Sequence, residues 1–94
     1  MEQRRENRFK PNQTATLTVL GLNPGASFFQ ACILDISGSG MGLRSGLPIP
    51  CGAQIEIKVG QTVARGSVCR CEPIGDSYEI GVQVVMTEVL TAKD

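Results

Sequence analysis

Two groups of polar residues in this chain could bind a ligand that carries both phosphate groups and hydrogen-bonding ring edges. The first is the sequence Asp-Ile-Ser-Gly-Ser-Gly, in which Asp35, Ser37 and Gly40 are two and three residues apart. The second is a cluster of arginines near the amino terminus, at Arg4, Arg5 and Arg8. Either group alone has an ordinary structural explanation, because Asp and Ser cap turns and charged arms are usually solvated.

The Asp35 group has the right chemistry for a guanine base. An ionised Asp35 accepts two parallel hydrogen bonds, and guanine offers such a pair from N1–H and its exocyclic amine. The Ser37 hydroxyl can donate to a phosphate or to a base acceptor, and Gly40 allows the backbone to approach a ligand closely.

The arginine group suits a compact anion. Arg4 and Arg8 have an Arg-x-x-x-Arg spacing, and a planar guanidinium can grip phosphate oxygens or the O6/N7 edge of guanine with two bonds. The whole chain has no basic excess, with nine Lys plus Arg against nine Asp plus Glu. Extended DNA or RNA is therefore not an expected partner.

Other site chemistries fit the sequence poorly. Gly38 and Gly40 lack the third glycine of a dinucleotide fingerprint, because position 43 is Leu43, and no Gly-Lys-Ser or Gly-Lys-Thr is present for a phosphate loop. The chain has no histidine, the usual general base and the commonest metal ligand. The four cysteines lack Cys-x-x-Cys spacing. We therefore expect neither a metal site nor catalysis, and read the cysteines as small hydrophobes.

The elements that would position these residues are β-strands. Alternation of apolar and polar residues predicts a strand beginning at residue 14, followed by strands at 28–36, 41–44, 54–59, 62–72 and 77–86. If Cys32, Leu34 and Ile36 point inward, Asp35 points outward; Cys69 and Cys71 would likewise share one face. Residues 87–92 are expected to add at most a short helix.

At 94 residues the chain has room for one domain. We predict a flexible, arginine-bearing arm over residues 1–13 and an all-β domain, a sandwich or a barrel, over 14–94. No apolar run approaches the roughly 20 residues needed to span a membrane, and the amino terminus lacks the features of a signal peptide. A cytoplasmic protein without membrane insertion is expected.

Taken together, the two groups resemble the motifs of the PilZ domain, a bacterial receptor module for cyclic di-GMP. That family has an Arg-x-x-x-Arg motif before its first strand and an Asp/Asn-x-Ser-x-x-Gly motif after its second. The resemblance continues more weakly at residues 40–43, 64–70 and 78–84, which read GMGL, ARGSVCR and YEIGVQV. It implies an all-β fold, a six-stranded antiparallel PilZ-type barrel.

The resemblance also implies roles for individual residues. Arg4 and Arg8 would contact guanine edges and phosphates with help from Arg5, Asp35 and Ser37 would bind a guanine, and Gly40 would hold the turn. Gly38 and Arg70 are further candidates, and Arg44 and Arg65 are additional arginines that could line the site. Gln3 precedes the first motif arginine, a position that influences ligand stoichiometry in the family.

The predicted function is that of a non-catalytic second-messenger receptor. Cyclic di-GMP would order the amino-terminal arm against the barrel and change the surface presented to an effector protein or a fused domain. No cofactor is expected. Two alternatives stay open: a degenerate domain that serves as a protein-interaction module without nucleotide, and a small flavin- or nucleotide-using barrel enzyme.

Overall fold

The computed structural model describes residues 10–20 and 27–90, and within them the chain forms six strands. These are β1 (Thr14–Leu20), β2 (Ser27–Ser37), β3 (Gly40–Ser45), β4 (Gln54–Val59), β5 (Thr62–Ile74) and β6 (Ser77–Val89). Each pairs antiparallel with its neighbours, and the order β1-β2-β3-β6-β5-β4 closes into a barrel. The predicted six-stranded antiparallel barrel is confirmed.

Strict alternation in β1 and β4 builds one wall of the core. Ala15, Leu17 and Val19 of β1 are buried while the threonines between them face outward. Ile57 and Ile55 of β4 lie opposite Leu17 and Val19 and are also buried. In the connection after β3, Ile49 is only 1% exposed and packs into the same core. Aliphatic side chains therefore fill the interior, as the scarcity of aromatic residues requires.

Three of the strand connections are two-residue turns that begin with glycine. Gly38, Gly60 and Gly75 have φ values of 54°, 60° and 58°, and each directly follows a paired strand end. Positive φ at the first central residue is what hairpin turns with the right-handed strand twist need. In the Asp-x-Ser-x-x-Gly sequence, the residue with positive φ is thus Gly38, whereas Gly40 begins β3.

The β5–β6 hairpin is longer than the sequence pattern indicated. Pairing continues to Thr62 opposite Val89, so residues 87–89 are strand and the short helix that the sequence allowed does not form there; positions 91–92 lie outside the described residues. Because the backbone groups of residues 87–89 form hydrogen bonds with β5, they do not need the hydrogen bonds that a helix would supply. Within the described chain, no helix has the length and apolar character needed to cross a bilayer.

Three β-bulges interrupt the ladders. Leu34 is the extra residue in β2, Cys69 in β5 and Val85 in β6. A bulge reverses the inside–outside alternation of the strand beyond it.

Both expectations that depended on unbroken alternation are therefore corrected. In β2, Ala31 and Ile33 are buried where Cys32 and Leu34 were expected, while Ile36 packs on the core. In β5, Cys71 packs against the core and Cys69 is exposed, so the two do not share a face.

Candidate ligand-binding site

A row of four residues crosses the outer surface of the barrel from β2 to β5. Asp35 pairs with Gly42 of β3, Gly42 pairs with Gly81 of β6, and Gly81 pairs with Arg70 of β5. The two charged residues stand at the ends of the row, and the two glycines, which we call the glycine floor, lie between them. Three spacings of about 4.8 Å between adjacent strands separate the backbones of Asp35 and Arg70, which is about 14 Å measured along the curved sheet.

Bulges place both charged residues on this surface. If Leu34 had a regular place in the strand pairing, Asp35 would share the inward face of the buried Ile33; because Leu34 is bulged out instead, Asp35 is exposed. The extra residue Cys69 does the same for Arg70, which follows the buried Val68. Bulges are common beside functional sites because they re-aim a side chain in this way.

The Asp35 carboxylate lies over Gly42. A Cβ at position 42 would be 2.5 Å from Asp35 Oδ1 and 3.5 Å from its Cγ. Gly42 is itself buried beneath this side chain, while Asp35 remains exposed to solvent. The carboxylate can therefore lie this close to the glycine floor because position 42 has no side chain.

Arg70 covers the other half of the floor. A Cβ at position 81 would lie 3.3 Å from both Cβ and Nε of Arg70 and 3.4 Å from its Nη2. Nη1 of Arg70 lies 3.3 Å from Oε1 of Glu72 and 3.7 Å from Oε1 of Glu79. The guanidinium therefore lies across Gly81 with carboxylates beside it, and 47% of the side chain stays exposed.

The turn between β2 and β3 is attached to β6. The amide of Val84 donates to the Ser39 carbonyl at 2.6 Å, and Nε2 of Gln83 donates to Ser39 Oγ at 2.8 Å. Ser37 is exposed on this turn, paired with Gly40. A Cβ at Gly40 would meet only ordinary contacts, at 3.5 Å and 3.7 Å, so the fold itself does not demand glycine there.

The other two arginines proposed from the sequence, Arg44 and Arg65, lie on different parts of the barrel surface. Arg44 of β3 pairs with Glu79 of β6 in the row next to the glycine floor, and it is exposed. Arg65 instead donates from Nε to Oε2 of Glu56 on β4 at 3.1 Å, on the far side of β5 from the floor. Arg44 and Arg70 border the site, and Arg65 does not.

Arg4, Arg5 and Arg8, like Gln3, lie outside the described residues, but the segment that leads to them does not. The Asn12 amide donates to the Ile33 carbonyl at 2.7 Å, and the Ile33 amide donates to the Gln13 carbonyl at 2.8 Å. Residues 12 and 13 are thus attached to β2 immediately before the Leu34 bulge. The described end of this segment is therefore fixed to β2 two residues before Asp35.

Sequence reasoning missed the contributions of Gly42, Gly81, Glu79 and Gln83. A signal did exist for the glycines, because glycine inside a strand often marks a close approach of other atoms. For Glu79 and Gln83 the sequence held no signal, since their partners Arg70 and Ser39 are brought near only by strand pairing.

This surface presents charged and hydrogen-bonding groups that can bind a ligand. It offers a carboxylate acceptor at Asp35, a hydroxyl at Ser37 and guanidinium donors at Arg44 and Arg70, around a floor without side chains. Among the described residues, no group of three or more His, Cys, Asp and Glu side chains could hold a metal ion.

Comparison with models of protein families gave a match over most of the chain. The family model described as the PilZ domain matches residues 2–92, which is nearly the whole chain. Searches of curated proteins and of solved structures gave no match. The matched range contains both the arginine cluster and the strands that carry the glycine floor. The chain belongs to the PilZ domain family.

Proposed function

We propose that this protein is a non-catalytic receptor for cyclic di-GMP, bound across the glycine floor and closed over by the amino-terminal arm. PilZ domains are generally receptors for this nucleotide. The observation that carries the proposal is the row from Asp35 to Arg70, in which two charged side chains from distant strands converge on adjacent glycines.

The dimensions of the row suit a ligand with two bases. Asp35 and Ser37 bind one guanine through its N1–H and amine edge, with the turn held by Gly38 and the backbone at Gly40 close to the base. The Arg70 guanidinium lies over the neighbouring glycine, Gly81, within reach of the second half of the dinucleotide. Phosphates between them meet the guanidinium groups that border the floor.

The amino-terminal arginines can reach this surface. Residue 12 is fixed against Ile33, and the four residues from there to Arg8 span at most about 14 Å. Arg4 and Arg5 lie farther along the same segment and can cover the ligand from outside. Ordering of such a segment on binding is a recognised way of converting occupancy into a signal.

The output of the receptor follows from the same change. Closure of the arm alters the surface beside β2, and an effector protein or a fused domain recognises that altered surface. The protein acts in the cytoplasm, where cyclic di-GMP is made. No cofactor takes part in this function.

Calorimetric titration with cyclic di-GMP tests the proposal. We expect binding by the wild-type protein and its loss in Arg8→Ala and in Asp35→Ala. Losing one charge-assisted contact costs about 2 kcal/mol or more, roughly 30-fold in affinity. Circular dichroism should show an unchanged barrel in both variants, because Asp35 is exposed and position 8 precedes the first strand in sequence.

Arg65→Ala is the matched control. It removes an arginine of β5 whose partner is Glu56 rather than any group at the floor, and should leave affinity within about twofold. A folded wild-type protein that does not bind at micromolar nucleotide would support a degenerate interaction module instead. A protein purified with bound flavin would support the barrel enzyme.

A further inference from the structure

We propose that Glu79 and Glu72 are positioning residues of the ligand site, which hold the Arg70 guanidinium flat over Gly81 so that its outer face can stack on a planar base. The inference rests on the proposed function for the identity of the ligand. The arrangement of the three side chains can also be tested without ligand.

The geometry restrains Arg70 on several sides. Gly81 lies directly beneath it, and a Cβ at position 81 would make tight contacts of 3.3–3.4 Å with the Arg70 side chain. Nη1 of Arg70 lies near two carboxylates. Oε1 of Glu72, which follows Arg70 by two residues on β5, is 3.3 Å away, and Oε1 of Glu79 on β6 is 3.7 Å away. Because the carboxylates come from two strands, they fix the direction of the guanidinium as well as its distance.

Stability alone does not explain this cluster. The side chains of Arg70 and Glu72 are about half exposed, at 47% and 56%, and exposed ion pairs contribute little to folding. A long arginine side chain otherwise samples many rotamers, and ordering it on binding reduces affinity. When the two glutamates hold Arg70 in place before the ligand binds, that cost is removed. Their role is then to raise ligand affinity rather than folding stability.

The charges of the ligand and the glutamates predict opposite changes in affinity for a positioning role and for simple repulsion. Cyclic di-GMP is an anion, so two carboxylates beside its site repel it, and removing one should raise affinity if Coulomb repulsion were their only effect. A positioning role has the opposite consequence. Neutralising either carboxylate releases Arg70 and lowers affinity.

The binding experiment uses Glu79→Gln, Glu72→Gln and the double variant, titrated with cyclic di-GMP. We expect affinity to fall about two- to tenfold for each single variant, the range set by ordering one long side chain. In an Arg70→Ala background the same substitutions should cause no further loss. Glu56→Gln is the matched control, since it breaks a similar pair with Arg65 and should change nothing. Unchanged or higher affinity in the Glu79 and Glu72 variants would overturn the proposal.

A second measurement does not depend on the ligand. In ¹⁵N–¹H spectra of the ligand-free protein, the Arg70 Nε–H signal should shift toward the position of a solvated arginine in the Glu72→Gln/Glu79→Gln double variant. The Arg65 Nε–H signal should move only in Glu56→Gln. An Arg70 signal that stays in place would contradict the positioning role, whereas a wild-type protein that fails to bind cyclic di-GMP would contradict the proposed function.

Discussion

Asp35 and Arg70 each depend on a glycine that belongs to the neighbouring strand. The Asp35 carboxylate occupies the space above Gly42, and Arg70 occupies the space above Gly81. Because the glycines pair with each other, the two charges reach toward one another across a surface that has no side chains of its own. At the scale of single residues, the site therefore depends on two charged side chains and on two neighbouring positions that have no Cβ atom.

Gly42→Ala should therefore impair the site while sparing the fold. The added methyl would lie 2.5 Å from Asp35 Oδ1, so the carboxylate must swing away from the floor. We expect at least a tenfold loss of cyclic di-GMP affinity, equivalent to about 1.4 kcal/mol, measured by calorimetry.

Its control is Gly46→Ala, where a Cβ would meet nothing within 4 Å and both affinity and melting temperature should stay as they are. If Gly42→Ala binds as tightly as wild type, the carboxylate does not act from the position seen above Gly42.

At the scale of elements, the β5–β6 hairpin carries Arg70, Gly81, Glu72 and Glu79, and its own geometry depends on close backbone contact. Gly66 of β5 lies opposite Val84 beside the Val85 bulge. A Cβ at position 66 would clash with the Gln83 carbonyl and lie 3.0 Å from Val84 Cα. These are backbone atoms, which cannot turn aside as a side chain can.

Gly66→Ala should for this reason destabilise the whole barrel. We expect a loss of about 1–3 kcal/mol in the free energy of unfolding, the usual cost of overpacking, measured by guanidinium denaturation. Gly40→Ala, whose new methyl would meet only ordinary contacts, should change the free energy of unfolding by less than about 0.5 kcal/mol. Equal free energies of unfolding for Gly66→Ala and Gly40→Ala would show that β5 and β6 can move apart at position 66 without a loss of stability.

The strands themselves were largely predictable from the sequence, and the bulges were not. Alternation in residues 14–20 and 54–59 identified β1 and β4 with their inward faces, because each strand is regular from end to end. In β2 and β5 the extra residues Leu34 and Cys69 leave no mark in the sequence. Their positions depend on pairing with β3 and β6. The outward direction of Asp35 was predicted correctly, although from an alternation that the bulge breaks.

At the scale of the whole molecule, closure of β1 against β4 turns six strands into one cooperative unit. Every strand has two neighbours, so a ligand that contacts β2, β3, β5 and β6 is bound only by the folded barrel. Binding should then stabilise the entire fold by mass action. The barrel type was predictable from its resemblance to a family, whereas the glycine floor needed the strand order β2-β3-β6-β5.

Thermal unfolding in the presence of cyclic di-GMP measures this coupling. At a ligand concentration 100-fold above Kd the stabilisation is about 2.7 kcal/mol, which raises Tm by roughly 10 °C or more for a domain of this size. Arg8→Ala should melt at the wild-type temperature without ligand and show a much smaller rise with it, since a roughly 30-fold weaker Kd reduces the stabilisation to about 0.9 kcal/mol at the same ligand concentration. A Tm that rises equally in that variant would place binding elsewhere on the protein.

The bulge in β2 also determines how this chain can vary in length. Because Leu34 is a spare residue between two stretches of regular pairing, β2 can lose one residue between Ala31 and Asp35 and become an unbroken strand. Asp35 would still lie opposite Gly42 and still face outward. A second residue inserted at the same place has no such room, and would either enlarge the bulge or turn the carboxylate into the core. Among related sequences, this segment should therefore tolerate deletion far better than insertion.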